Sequence, residues 1–141
     1  MIDIVNLQRK INIDNSAIRS FTETLSTSVP DAAGRVFSVA FVNDGRMKQL
    51  NELFRGKSTT TDVLSFPYES DEFDPVKDNL GDIVISAEQA AKQAAENGLS
   101  LEAEIKQLIL HGVLHLCGYD HETDNGEMNA LELELRDKLG I

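Results

Sequence analysis

All three histidines of the chain, His111, His115 and His121, fall within one short stretch. Residues four apart on a helix stand one above the other, so His111 and His115 aim two imidazoles at the same point. Gly118 lets the chain leave the helix through a backbone conformation costly for other residues, and a turn through Tyr119 and Asp120 can bring His121 back to that point. Three converging nitrogens with a fourth position open to water are the ligand set of a catalytic zinc site, whereas a structural zinc is closed by a fourth protein ligand. One zinc ion per chain on His111, His115 and His121 is therefore expected, although three imidazoles also suit nickel, copper or iron. A lone histidine would more commonly be a satisfied core or surface residue; the shared spacing argues otherwise. Cys117 points roughly 200° around the helix from His115 and is expected to be a packed thiol.

The ligand frame matches that of the metzincin proteases, in which a glutamate after the first histidine serves as general base for the attacking water. Gly112 stands there in this chain, so peptide hydrolysis by that route has no base. A peptidase-like hydrolase of another bond would need a carboxylate from elsewhere. A non-catalytic assembly factor, in which the metal only pins the C-terminal helices together, is the other alternative. Asp120 could orient a ligand imidazole from behind and Asp82 lies near a strand end, but either serves equally well as a turn or capping residue.

The elements that must position these residues follow from hydrophobic spacing. Ile2, Ile4 and Leu7 read as a first strand, and Asp14 to Ser28 as a helix with Ala17, Ile18, Phe21 and Leu25 on one face. Val36 to Val42 reads as a second strand, followed by a helix capped by Asp44, carrying Met47, Leu50, Leu53 and Phe54, and ended by Gly56. Asp62 to Tyr68 and Leu80 to Ser86 read as the third and fourth strands, joined by an acidic link, Glu69 to Asn79, that is expected to be mobile. Ser86 and Gln89 form a capping box for a helix closing at Asn97 and Gly98. Ser100 opens the next helix, with Glu102 and Glu104 at the positive end of its dipole and enough apolar residues to be central and largely buried; Gly118 stops it. Asp124 with Glu127 opens a last helix carrying Met128, Leu131, Leu135 and Leu139.

The crossover from the second strand through its helix to the third predicts a parallel pair, and the third and fourth strands are expected to pair antiparallel. The expected fold is a single α+β domain over residues 1–141, a small mixed sheet of about four strands packed with about five helices. With 41% hydrophobic residues it can bury an ordinary core without disulfides. The one cysteine and the absence of a secretory signal pattern point to the cytoplasm, and no apolar run is long enough for a membrane segment. A net charge of −11 would ordinarily argue against a nucleic-acid partner. The acids concentrate in Glu69 to Asp78 and the C-terminal third, however, and Arg46, Lys48, Arg55 and Lys57 fall within a short stretch with fewer acids, which fits either a local basic face or two solvated helix faces of opposite sign.

The run His111-Gly112-Val113-Leu114-His115-Leu116-Cys117-Gly118-Tyr119-Asp120-His121 resembles the signature of the YbeY family, bacterial endoribonucleases of ribosomal RNA maturation and ribosome quality control. Asn51 to Lys57 followed by Thr61 to Pro67 resembles the family's second motif, and Gly81 to Ile85 its third. Together these cover roughly positions 47 to 121; the histidine run is highly specific, and the other two motifs would be weak alone. Thr60 departs from the pattern, standing where the family would carry proline, and Cys117 stands where an aliphatic residue is more usual. The resemblance implies a single-strand-specific, metal-dependent endoribonuclease that acts at the 16S 3′ end. It also implies a partner in ribosomal RNA and the small ribosomal subunit with its proteins. The site residues it implies are His111, His115 and His121 around zinc, with His115 and Arg55 catalytic. A guanidinium can hold two phosphate oxygens and offset charge in the transition state. From the residues alone, Arg55 reads as a solvated cation at a helix C-terminus. Lys57 is a candidate for contact with the RNA backbone.

Overall fold

In the computed structural model, residues 2–68, 79–119 and 126–141 are described. The strands are β1 (Asp3–Asn6), β2 (Val36–Val42), β3 (Val63–Pro67) and β4 (Asn79–Ser86). The helices are α1 (Asn15–Ser28), α2 (Asp44–Arg55), α3 (Ala87–Asn97), α4 (Leu101–Leu116) and α5 (Glu127–Leu139). A short 3-10 turn at Pro30–Ala32 follows α1 and was not expected from the sequence. The sheet order is β1-β2-β4-β3, with β1, β2 and β4 parallel and β3 antiparallel to β4 at the edge. This is the expected mixed-sheet α+β architecture. The acidic link falls on residues 69–78, outside the described residues, as do Asp120, His121 and Asp124.

One pairing differs from expectation. β2 and β3 are not neighbours, and the parallel partner of β2 across the crossover is β4. The cause lies in the loop after α2, which doubles back along the helix. Asn51 Nδ2 donates to the Thr59 carbonyl at 2.7 Å, and Thr60 Oγ1 donates to Asp44 Oδ1 at 3.2 Å, at the opposite end of α2. The chain thus enters β3 beside the end of β4, where Ser86 N donates to the Asp62 carbonyl, and can only run antiparallel. Thr60, where proline was the pattern, supplies one of these tethers through its hydroxyl.

Side chains on the two sheet faces see different partners. Ile4, Val39 and Ile83 align across β1, β2 and β4 and pack with Phe37, Phe41 and Ile85 against α1 and α4, forming the main core. Val42, Leu64 and Val84 face the other way, towards Met47 and Leu50 of α2. Leu53 and Phe54, expected on the apolar face of α2, are 74% and 59% exposed. Their apolar character exceeds what the narrow face of α2 can cover. The cap of α2 is Asn43, whose side chain accepts from Arg46 N, rather than Asp44. Asp44 sits in the first turn and accepts from Ser86 Oγ, Gln89 Nε2 and Thr60 Oγ1. Burial pushes its pKa up, but those three hydrogen bonds and the charge of Lys10 outweigh it and leave the carboxyl below its ordinary value.

Gly81 is required by close approach. Its φ is 134°, and a Cβ there would stand 2.2 Å from the Phe66 carbonyl oxygen, which explains the glycine of the third motif by backbone sterics. No helix among the described residues is long and apolar enough to cross a membrane.

Candidate functional site

Ser100 caps α4 by accepting from Ala103 N, and the helix then runs unbroken to Leu116, so His111 and His115 stand one turn apart on a fixed frame. Both are half-buried at the border of the core. Between them Gly112 lies against β4. A Cβ at this position would be 3.0 Å from two carbons of the Ile83 side chain, tighter than such contacts ordinarily are. The missing side chain lets α4 approach the sheet. It also removes the general base of a metzincin, because the residue at that place is pressed onto β4 with no room for a carboxylate.

The two rings meet edge to face with centroids 4.6 Å apart, and the Nε2 atoms approach to 3.0 Å. Tetrahedral zinc with bonds of about 2.0–2.1 Å sets its nitrogens about 3.3–3.4 Å apart, so the pair would open by only a few tenths of an ångström to share an ion. Behind His111 stands Glu132 of α5, with Oε1 3.3 Å from Nδ1. With Nδ1–H donating to that carboxylate, the lone pair of Nε2 points to the shared site, the arrangement that fixes the tautomer of a metal-binding imidazole. The Glu132 side chain is only 7% exposed, and Arg136 Nη2 donates to the same Oε1 at 3.4 Å. Donor chemistry, spacing and supporting carboxylate all fit a divalent ion held by nitrogen ligands.

Glu132 and Arg136 escaped the sequence reasoning. A signal existed: Glu132 falls on the same stripe as Met128 and Leu135, an acid on the face that α5 buries. The third proposed ligand, His121, and Asp120 lie outside the described residues, and among the described residues no group of three potential ligands is assembled. The exit from α4 agrees with expectation: Gly118 has φ 98°, and Gly118 N and Tyr119 N bond back to the carbonyls of His115 and Leu114. Cys117 packs against the core as a thiol, and burial raises its pKa. Asp82 is not part of this site. It lies on the opposite sheet face from Ile83, hydrogen-bonded by Ser38 Oγ.

Arg55 is the last residue of α2 and is exposed, with Gly56 closing the helix in the left-handed conformation. Its neighbour Phe54 packs edge to face on Phe66 of β3 at 4.9 Å. On the other face of the same strand, Ser65 Oγ lies 3.5 Å from the Gly112 carbonyl. The helices that carry Arg55 and the histidine pair therefore reach adjacent residues of one edge strand, Phe66 and Ser65, from its two sides. Arg46, Lys48 and Lys57 are exposed on α2 and its following loop.

Comparison with known proteins is consistent across sequence and structure. The family model described as endoribonuclease YbeY matches residues 3–140. An endoribonuclease YbeY of Carboxydothermus hydrogenoformans is 40% identical over 144 aligned positions, covering 100% of this chain and 99% of the relative. Another, from Nautilia profundicola, is 54% identical over 99 positions, 70% of this chain and 68% of the relative. The solution structure of TM1509 from Thermotoga maritima superposes with a TM-score of 0.66 at 25% identity, covering 99% of this chain and 89% of that one.

Proposed function

Because the chain belongs to the endoribonuclease YbeY family, we propose that it is a metal-dependent hydrolase of phosphodiester bonds in single-stranded RNA, acting in ribosomal RNA maturation and ribosome quality control. On this reading residues 1–141 form one catalytic domain, and the substrate is ribosomal RNA of the small subunit at the 16S 3′ end, in the cytoplasm. His111, His115 and His121 hold one zinc or a similar divalent ion, and Arg55 meets the phosphate. The observation that carries the proposal is the 3.0 Å approach of the His111 and His115 Nε2 atoms, backed by the buried Glu132.

A bound divalent ion supplies Lewis acidity, which activates water for attack and offsets charge on a phosphoryl oxygen. The chain's own residues do the rest. Glu132 accepts a hydrogen bond from the Nδ1–H of His111 and holds its ring in one orientation. Arg55, with its planar guanidinium, is suited to bind two non-bridging phosphate oxygens and to strengthen that hold as charge accumulates in the transition state. Because it ends α2 in solvent, it can meet a strand lying along the β3 edge. The surrounding Arg46, Lys48 and Lys57 provide the local positive field that the acidic chain as a whole lacks.

The test pairs metal content with turnover. Protein purified without a histidine tag should carry one equivalent of metal and cut a single-stranded RNA. His115→Ala, still folded, should lose both. Equal residual cleavage by wild type and variant would identify a contaminant and leave a metal-pinned, non-catalytic protein.

A further inference from the structure

A cleft of about 510 Å³ opens beside His111, bounded by α3, α4, α5 and the start of β3. That volume falls within the range of about 300–1,000 Å³ typical of small-molecule sites. Its polar walls are Gln93 and Asn97 of α3, Glu104, Gln107 and His111 of α4, Asp62 before β3, and Glu132 and Arg136 of α5. Glu104 is the residue without an obvious structural reason. It is 5% exposed and lines the cleft, yet its bond from Asn97 Nδ2 is long at 3.4 Å, and no cation pairs with it among the described residues. Its place in the first turn of α4 is favourable to an acid, but an exposed glutamate there would gain the same benefit without the cost of burial. A buried carboxylate facing an open cleft is a hydrogen-bond acceptor waiting for donors from a ligand.

We propose that this cleft binds the base of a guanine nucleotide next to the scissile phosphate, with Glu104 accepting from its Watson–Crick edge. The inference rests on the endoribonuclease function above and deepens it to a base preference. Phosphate is disfavoured there, since Asp62, Glu104 and Glu132 line the cleft with Arg136 as the one arginine or lysine among its walls. Among the four RNA bases, guanine alone presents two adjacent donors, N1–H and the N2 amine, matching the two oxygens of a carboxylate. Adenine and cytosine set a ring acceptor beside their amine, and uracil sets carbonyls on both sides of its single N–H. The O6 and N7 acceptors of guanine are then available to the amides of Gln93, Asn97 and Gln107. Single-stranded RNA is ordinarily read in this way, by extruding a base and bonding its edge.

Short unstructured RNAs that differ only in the base at each position flanking the cut would be cleaved by the metal-loaded wild type and by Glu104→Gln. At one flanking position the wild type should favour guanine by roughly tenfold in kcat/KM, the discrimination expected of one bidentate contact. In Glu104→Gln that ratio should collapse to near unity. Guanosine monophosphate titrated against the same proteins supplies a readout free of turnover. It should saturably perturb the side-chain amide resonances of Gln93, Asn97 and Gln107 in the wild type, adenosine monophosphate should not, and Glu104→Gln should lose the effect. Should Glu104→Gln not fold, Gln107→Ala decides, with a weakened perturbation upholding the proposal and an unchanged one overturning it. Equal cleavage of all four bases by the wild type, or an intact guanine preference in folded Glu104→Gln, overturns it too. Failure of the wild type to cut any RNA would remove the nuclease function, whereas guanosine monophosphate binding would still uphold the pocket.

Discussion

On one side of the edge strand β3, His111 and His115 ride on a helix whose residues Ile105, Ile109, Val113 and Leu114 are essentially buried, with a carboxylate from α5 behind the first ring. On the other side, Arg55 ends a helix in which only Met47 and Asn51 are buried, and a few side-chain tethers hold the loop beyond it. The difference suits the role proposed for each. Metal ligation tolerates errors of tenths of an ångström, which only close packing can guarantee. A phosphate-binding arginine carries its own reach, and an exposed position leaves it free to meet a polymeric substrate. Substitutions on the histidine side should therefore appear in metal content and stability, and replacement of Arg55 itself in turnover alone.

The largest effect is expected from Arg55→Lys, which should lower kcat by about a hundredfold, the lower end of what loss of a transition-state donor costs. Metal content and Tm should stay at wild-type values. Near-normal cleavage by the metal-loaded variant would remove the bidentate role and with it the arginine half of the comparison. Glu132→Gln keeps the shape of the side chain but weakens the hold on His111 Nδ1, and should reduce metal affinity by about 10- to 100-fold, read by chelator competition. Unchanged affinity would leave Glu132 as a partner of Arg136 only.

Gly112→Ala tests packing without touching a proposed ligand. The added methyl meets Ile83, so denaturant unfolding should show a loss of about 1–3 kcal/mol, with metal affinity falling if α4 is displaced. No loss of stability would mean that α4 and β4 yield easily, against the rigidity assigned to this side.

The smallest effect belongs to Asp44, on the arginine side. Its carboxyl titrates below the ordinary 3.8, so the folded state binds the proton less readily than the unfolded chain does. Its stabilising contribution is accordingly complete above that value and is lost as pH falls through the lower folded value. Asp44→Asn should be less stable than wild type at neutral pH and lose less of its remaining stability on acidification below about 3.8. Parallel acid curves for the two proteins would show that Asp44 does not hold the loop that carries Thr60.

Much of this molecule was legible in the order of its residues. Helix and strand positions follow from apolar periods of three to four and of two, and the four-residue spacing of His111 and His115 dictates convergence once α4 forms, because these are local consequences of backbone geometry. Gly118 and Gly98 mark helix ends for the same local reason. What the sequence could not specify depends on which surfaces meet. The exchange of β3 for β4 as the partner of β2 rests on Asn51 and Thr60 gripping a loop, a contact between residues with no periodic signal. Leu53 and Phe54 looked inward by spacing but stayed in solvent because α2 covers only part of its sheet face. Glu132 gained its place behind His111 only when α5 docked on α4, and Gly112 its necessity only when Ile83 came within 3.0 Å of where a side chain would begin. Local geometry thus set the pairing of His111 and His115, while burial and close approach, which are properties of the whole fold, decided what holds them.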